Sequence, residues 1–192
     1  MRKVSNYKSN LTAKTIKNAT PEEQVVLDKA LAQVGFIPNM YSNMVNLPGL
    51  LDTYLEGYAA FREQSELTAA EQEVVFLTIS RDNECHYCVA AHSMLADNMS
   101  GVPLEVTDAI RNGTQISDAK LAALHKFTHH MLITQGRPNN EAVEAFLSEG
   151  YIEKNILAII LAISVKTISN YSNHVFDTEV DDMFESRFWS AS

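Results

Sequence analysis

Cysteine, proline and glycine are all scarce in this chain of 192 residues, at two, five and seven. So little cysteine excludes the disulfide-dense build of a small secreted domain and suits a reducing compartment, so a cytoplasmic location is expected. A chain of this length buries a core large enough to fold without such staples. Few glycines and prolines, and few β-branched runs in strict alternation, leave the expectation all-α. Long apolar runs are missing too. The longest, ILAIILAI from Ile156 to Ile163, falls well below the roughly 18 residues of a membrane span; it reads as a core helix, with no membrane partner expected. Positive charge is short: 15 Lys and Arg against 24 Asp and Glu give a formal net charge of −9. A phosphate backbone would be repelled, which argues against a nucleic-acid partner. The opening MRKVSNYKSN runs into LTAKTIKNAT, which has no apolar h-region, and no secretion signal is expected.

What is present is a series of marked helix ends. Thr20, Pro21 and Glu23 open a helix that Gly35 stops. Pro38 breaks any continuation, and a second helix starts near Leu47 and Pro48 and ends near Glu66. Thr68 and Glu71 form a further capping box, T-x-x-E, before the apolar VVFLTI. Further helices are expected over about 84–98, 104–112, 118–135 and from Asn139 or Asn140 to Gly150, then one long buried helix from Glu153. The organisation predicted is a single all-α domain over 20–180 with its chemistry at about 68–98. A loose segment over 1–19 and a loose tail over 181–192 flank it.

The two cysteines stand together in NECHYCVAAH, Asn83 to His92. At 100° per residue Cys85, Cys88 and His92 fall within an arc of roughly 60° on one helix face. Cα atoms three apart in a helix lie near 5 Å, so a reversible disulfide is geometrically reasonable. The unpaired N–H groups of a helix start and a nearby imidazole favour a thiolate, which makes Cys88 the reactive sulfur. Two inert buried thiols are the plain alternative. A zinc site would need a further ligand, from Glu73 or a distant histidine. Covalent haem attachment needs C-x-x-C-H, and Val89 follows Cys88. By position alone Glu73 reads as a solvated first-turn carboxylate. His86 reads as a rim residue, Tyr87 as packing on the face away from the cysteines, and His129 and His130 as ordinary helix residues. His174, four residues after Asn170, is harder to dismiss.

Glu73, Asn83, Cys85, Tyr87, Cys88, Ala91 and His92 together resemble the Glu…Asn-x-Cys-x-Tyr-Cys-x-x-Ala-His signature of the alkylhydroperoxidase D-like, or carboxymuconolactone decarboxylase-like, superfamily. The resemblance covers about Phe36 to Asp177. It implies an all-α fold that assembles as trimers or hexamers, and a thiol-dependent peroxidase needing no cofactor. Cys88 would be the peroxidatic thiolate, Cys85 the resolving thiol, His92 the base and Glu73 its relay partner. The partners implied are a hydroperoxide substrate and a dithiol or lipoyl-type reductant. In the best-studied bacterial member a histidine stands where this chain has Tyr87. The decarboxylases of the superfamily do not rely on a C-x-x-C pair, so the intact pair argues against a lactone substrate. The alternative from another class is a redox-sensing or disulfide-exchange protein with little peroxide turnover.

Overall fold

The computed structural model describes residues 7–191. Among them the regular elements are helices: α1 (Pro21–Val34), α2 (Asn39–Met44), α3 (Pro48–Gln64), α4 (Ala69–Asp82), α5 (His86–Asn98), α6 (Leu104–Asn112), α7 (Ala119–Ile133), α8 (Asn140–Ser148) and α9 (Glu153–Phe176), then a 3₁₀ segment, Asp182–Arg187. Thr20 and Thr68 each accept an N–H from the first turn while Glu23 and Glu71 return to the cap N–H, so both expected capping boxes form. Gly35 ends α1 at φ +84. Helix α2 is the unexpected element. Pro38 stops α1 from continuing but also N-caps α2, because its fixed φ suits the residue just outside a first turn.

Helix α4 lies at the centre, with every residue from Glu71 to Ser80 buried. A helix that is apolar on nearly all sides is satisfied only inside a bundle. The hydroxyls of Thr78 and Ser80 donate back to the carbonyls of Val74 and Phe76, each at 2.7 Å, so burying them costs little. Helices α5, α6, α7 and α9 pack around it, and α3 reaches it through the rings of Tyr58 and Phe61 on Phe76. The 24 residues of α9 are long and apolar enough to cross a bilayer by composition alone, yet one face of α9 is buried against α3 and α4. That face runs Ala158, Ile159, Ala162, Val165 and then Lys166, Ser169, Asn170, Asn173, turning from apolar to polar without losing its helical spacing. At the change, α3 comes close: a Cβ on Gly57 would sit 2.8 Å from Val165 Cγ2.

Two features of the chain ends and corners differ from expectation. Helix α5 begins at His86, not at about 84, because Glu84 takes a left-handed φ of +55 that a right-handed helix cannot include. The resulting corner makes Cys85 the N-cap of α5, with its N–H donating to Ser80 O at 2.9 Å. The expected loose ends are the other correction. Residues 1–6 and Ser192 lie outside the described residues, but from Tyr7 onward the N-terminal segment is strapped down. Ser9 N–H donates to Val175 O and Lys14 N–H to Ser42 O, both at 2.8 Å. The tail is docked on α5 and α6: Phe184 is buried, Arg187 Nη2 meets Asp108 at 2.6 Å, and Trp189 Nε1 donates to Arg111 O at 3.0 Å. Aromatic and arginine side chains spread over the last dozen residues anchor it, although no periodic pattern announces them.

Candidate active site

The α4–α5 corner places Cys85 before the first turn of α5 and Cys88 within it, both free thiols and each only 1% exposed. From α9, Asn173 Nδ2 donates to Cys88 Sγ at 3.3 Å and reaches Cys85 Sγ at 3.8 Å. Ser169 Oγ lies 3.9 Å from Cys88 Sγ. Asn170 accepts from Asn83 Nδ2 on its amide oxygen at 2.9 Å, which turns its NH2 group toward Cys88. Asn83, part of the sequence signature, therefore works at one remove.

Behind the cysteines runs a buried chain of alternating charge. His92 Nδ1 is 2.8 Å from Glu73 Oε2, and because a carboxylate only accepts, Nδ1 holds the proton. His92 Nε2 is 2.8 Å from Lys166 Nζ, and because an ammonium only donates, Nε2 is the acceptor. Glu73 also takes a hydrogen bond from Arg62 Nη2. Arg62 in turn donates to the Tyr58 hydroxyl at 2.6 Å and lies over the rings of Tyr58 and Phe76, 4.8 and 4.9 Å from their centroids. With one nitrogen protonated toward Glu73 and the other engaged by Lys166, His92 has no lone pair to offer a metal.

The electrostatics divide the two sulfurs. Burial opposes ionisation of Cys88, but the Cys85 thiol, the Lys166 charge, His92 and Asn170 together outweigh it and hold the thiol well below its ordinary range. Burial and the neighbouring Cys88 push Cys85 well above it. Of the two sulfurs, Cys88 is therefore the one the site favours as a thiolate and Cys85 the one it favours as a thiol. Burial also raises the Glu73 carboxyl, yet His92 and Arg62 overcome this and keep it below its ordinary 4.5. Burial and the Lys166 ammonium lower His92 below its ordinary 6.5, against the pull of Glu73, so the imidazole is neutral. Lys166 is fully buried, and the negative charge facing it across this pocket is the Cys88 thiolate. A buried ammonium without such a counter-charge would be strongly disfavoured.

The structure thus brings together all four site residues expected from sequence: Cys85, Cys88, His92 and Glu73. It alters the geometry expected of His92, whose two nitrogens are committed to Glu73 and Lys166 and not to Cys88. Sequence reasoning missed Lys166, Arg62, Ser169 and Asn173. The available signal was the polar continuation of the buried α9 stripe, at the same spacing as its apolar half. His129 pairs with Asp82 at 2.6 Å, away from the cysteines. His86 sits on the rim against Phe188 and Trp189. Tyr87 is buried and donates from its hydroxyl to Asp181, tying the tail to α5.

Cys88, His92 and Lys166 line a cavity of about 430 Å³ whose other walls, Gln33 apart, are apolar and aromatic, with Tyr41, Tyr54, Tyr58, Met40 and Met94 among them. The docked tail closes one side with Met183 and Phe184. The volume is that of a small organic molecule, since such sites span roughly 300–1,000 Å³.

Residues 48–127 match the carboxymuconolactone decarboxylase family. A peroxidase-related protein from Ralstonia eutropha JMP134 with an alkylhydroperoxidase AhpD core superposes with a TM-score of 0.77 at 19% identity, over 91% of this chain and 93% of that one. A second peroxidase-related protein, from Silicibacter sp. TM1040, gives 0.73 at 19% identity, over 96% and 100%. The debrominase Bmp8, in complex with 2,3,4-tribromopyrrole, gives 0.74 at 14% identity, over 95% and 97%. No curated protein is matched by sequence. The segment that matches the family model includes Glu73, both cysteines and His92, and the likeness to the solved structures is one of fold.

Proposed function

Taking the alkylhydroperoxidase D-like and carboxymuconolactone decarboxylase-like superfamily as the premise, we propose that the protein is a thiol-dependent peroxidase acting on organic hydroperoxides in a reducing compartment. The observation that supports this reading is a buried Cys88 thiolate beside the Lys166 ammonium, opening onto an apolar cavity. The thiolate attacks the peroxide, the O–O bond breaks, and the leaving alkoxide takes a proton from Lys166 to become an alcohol. Cys88 is then a sulfenic acid. The Cys85 thiol attacks that sulfur, hydroxide leaves with the Cys85 proton as water, and a disulfide remains. Thiolate and ammonium are consumed together, so the site stays neutral throughout, which a buried pocket requires. Glu73 and Arg62 hold His92 in the tautomer that accepts from Lys166, and so keep Nζ in place.

In peroxide-consumption assays with a dithiol donor, Cys88→Ser is expected to abolish turnover. Cys85→Ser is expected to stop after one equivalent of peroxide, with a sulfenic acid that a dimedone-type probe traps. Unchanged turnover in both variants would sink the proposal. A disulfide that forms in wild type without sustained turnover would point to the sensing role.

The debrominase neighbour gives a second reading a specific footing. The aromatic walls, with Tyr41, Tyr54 and Tyr58 ring centroids 5.8 Å apart in succession, fit a flat halogenated ring as well as an aryl hydroperoxide. Release of bromide from a bromopyrrole at rates above those for cumene hydroperoxide would favour it.

The trimer or hexamer implied by the resemblance is carried forward as part of the proposal. Leu157, Ile160 and Tyr171 are 66%, 45% and 57% exposed along the outer face of α9, a surface that a second copy would cover. Light scattering is expected to give a multiple of the 21.4 kDa chain, and Leu157→Glu with Ile160→Glu a lower mass. A monomer for the unsubstituted protein would refute this part.

A further inference from the structure

The two sulfurs do not open onto the same space. Cys88 borders the apolar cavity, whereas Cys85 borders a second one of about 720 Å³ between the α4–α5 corner, the end of α9 and the N-terminal strap. His86, Asn173, His174, Val175 and Lys8 line the second cavity, and Tyr87 alone of the lining residues is common to both. We propose that this second cavity is the entry port for the reductant, a dithiol presented by a small molecule or a slender arm, so that oxidant and reductant reach the disulfide through separate openings. The inference rests on the proposed cycle only in requiring that Cys85 and Cys88 form a disulfide.

Chemistry and position agree on which sulfur is attacked. In thiol–disulfide exchange the sulfur that is more stable as a thiolate leaves faster. The pocket of Lys166 and Asn173 stabilises Cys88 in that form, so the incoming thiolate bonds to Cys85, the sulfur that borders this port. Asn173 is 4% exposed, lines the port, and its Oδ1 has no partner among the described residues. A buried carbonyl of this kind is an acceptor awaiting a donor, which an incoming S–H or a neighbouring amide supplies. His86 Nδ1 lies 3.1 Å from Trp189 O, and because a carbonyl only accepts, Nδ1 is the donor and Nε2 holds the free lone pair. His86, adjacent to Cys85 in the chain, can therefore take the proton of the donor thiol. Cys85 as a residue is 1% exposed, so it is recessed from a flat protein surface and the approach suits a slender chain.

The exchange balances. The first donor thiol gives its proton to His86 and its sulfur bonds to Cys85, breaking the Cys85–Cys88 bond and releasing Cys88 as thiolate. The second donor thiol attacks the donor sulfur of the mixed disulfide, releasing Cys85, which takes a proton to become a thiol. The donor leaves as a disulfide, and the remaining donor proton, taken up first by His86, passes through solvent to the Lys166 amine left by peroxide reduction, which restores the ammonium beside the Cys88 thiolate.

The test separates the half-reactions by stopped flow. Disulfide made with diamide is reduced by dithiothreitol, and reduced protein is oxidised by cumene hydroperoxide. His174→Trp and Val175→Trp, at exposed positions of the port, are expected to slow reduction about tenfold or more and to leave oxidation unchanged, as a misplaced approach by about 1 Å can cost 10²-fold. Met183→Trp, in the wall of the other cavity, is expected to do the reverse. Unchanged reduction in both port variants, equal slowing of both half-reactions, or faster reduction by folded thioredoxin than by dithiothreitol at equal thiol concentration would overturn the proposal. Because diamide forms the disulfide without peroxide, a failed peroxidase reading leaves the reductive arm readable.

Discussion

Lys166→Met is expected to return the Cys88 thiol to the ordinary range near 8.5 or above and to lower peroxide turnover by roughly 10²–10⁴-fold. The ammonium does two things in the intact site: it is the counter-charge of the thiolate and the proton source for the leaving alkoxide. Methionine keeps most of the length and the packing against Phe76, whose ring centroid is 5.5 Å from Nζ. A buried charge replaced by an apolar group of similar volume is tolerated or stabilising, so the loss should appear without unfolding. The thiolate ultraviolet absorbance, followed against pH in both proteins, measures the first effect directly. His92→Ala provides the contrast. It frees the Lys166 ammonium from its hydrogen bond but leaves its charge, so its thiol should rise less than that of Lys166→Met. An unshifted thiol in Lys166→Met would show that Asn173 and Cys85 suffice to hold the thiolate, and the proton would have to come from elsewhere.

Arg62→Met should be among the most destabilising single changes in the protein. Glu73 is 1% exposed and stays ionised there because Arg62 and His92 both donate to it. Removing one cationic partner leaves a buried carboxylate half-compensated, at a cost of about 3 kcal/mol at pH 7 and a melting point lower by roughly 6–12 °C. The pH dependence carries the mechanism. With its folded-state pKa below the ordinary 4.5, Glu73 in the intact protein contributes stability that is fully present above 4.5 and lost as pH falls through the folded value. In the variant, burial raises the folded pKa above the unfolded one, so the contribution reverses: it is present at low pH and lost as pH rises through the folded value. The gap between the two melting points should therefore narrow from pH 7 to about pH 5. A gap of constant size would assign the loss to packing against Tyr58 and Phe76 alone.

The sequence by itself determined every helix but α2, and half of the site. Capping boxes at Thr20 and Thr68 and the stop at Gly35 are interactions within one turn of chain, so the residues that make them are visible as neighbours. The same holds for Cys85, Cys88 and His92, which share a helix face through their spacing alone. Glu73 became legible through the family signature and not through its position, since a first-turn carboxylate is ordinarily solvated.

Tertiary structure decided the rest, for a physical reason that runs through every missed residue. Lys166 meets His92 across 74 positions, and Asn173 meets Cys88 across 85. Arg62 reaches Glu73 only because α3 meets α4 through the rings of Tyr58 and Phe61 on Phe76. In the sequence, a lysine after an apolar run and asparagines on a long helix are indistinguishable from solvated ones, because burial of a charge depends on which counter-charge the fold delivers. The tail likewise looked loose because its anchors, Phe184, Arg187 and Trp189, have partners on other helices and no periodicity of their own. Local chain chemistry set where the thiols stand and which one is favoured to ionise; the packing of α9 against α4 supplied Lys166 and Asn170, which favour the Cys88 thiolate against the cost of its burial.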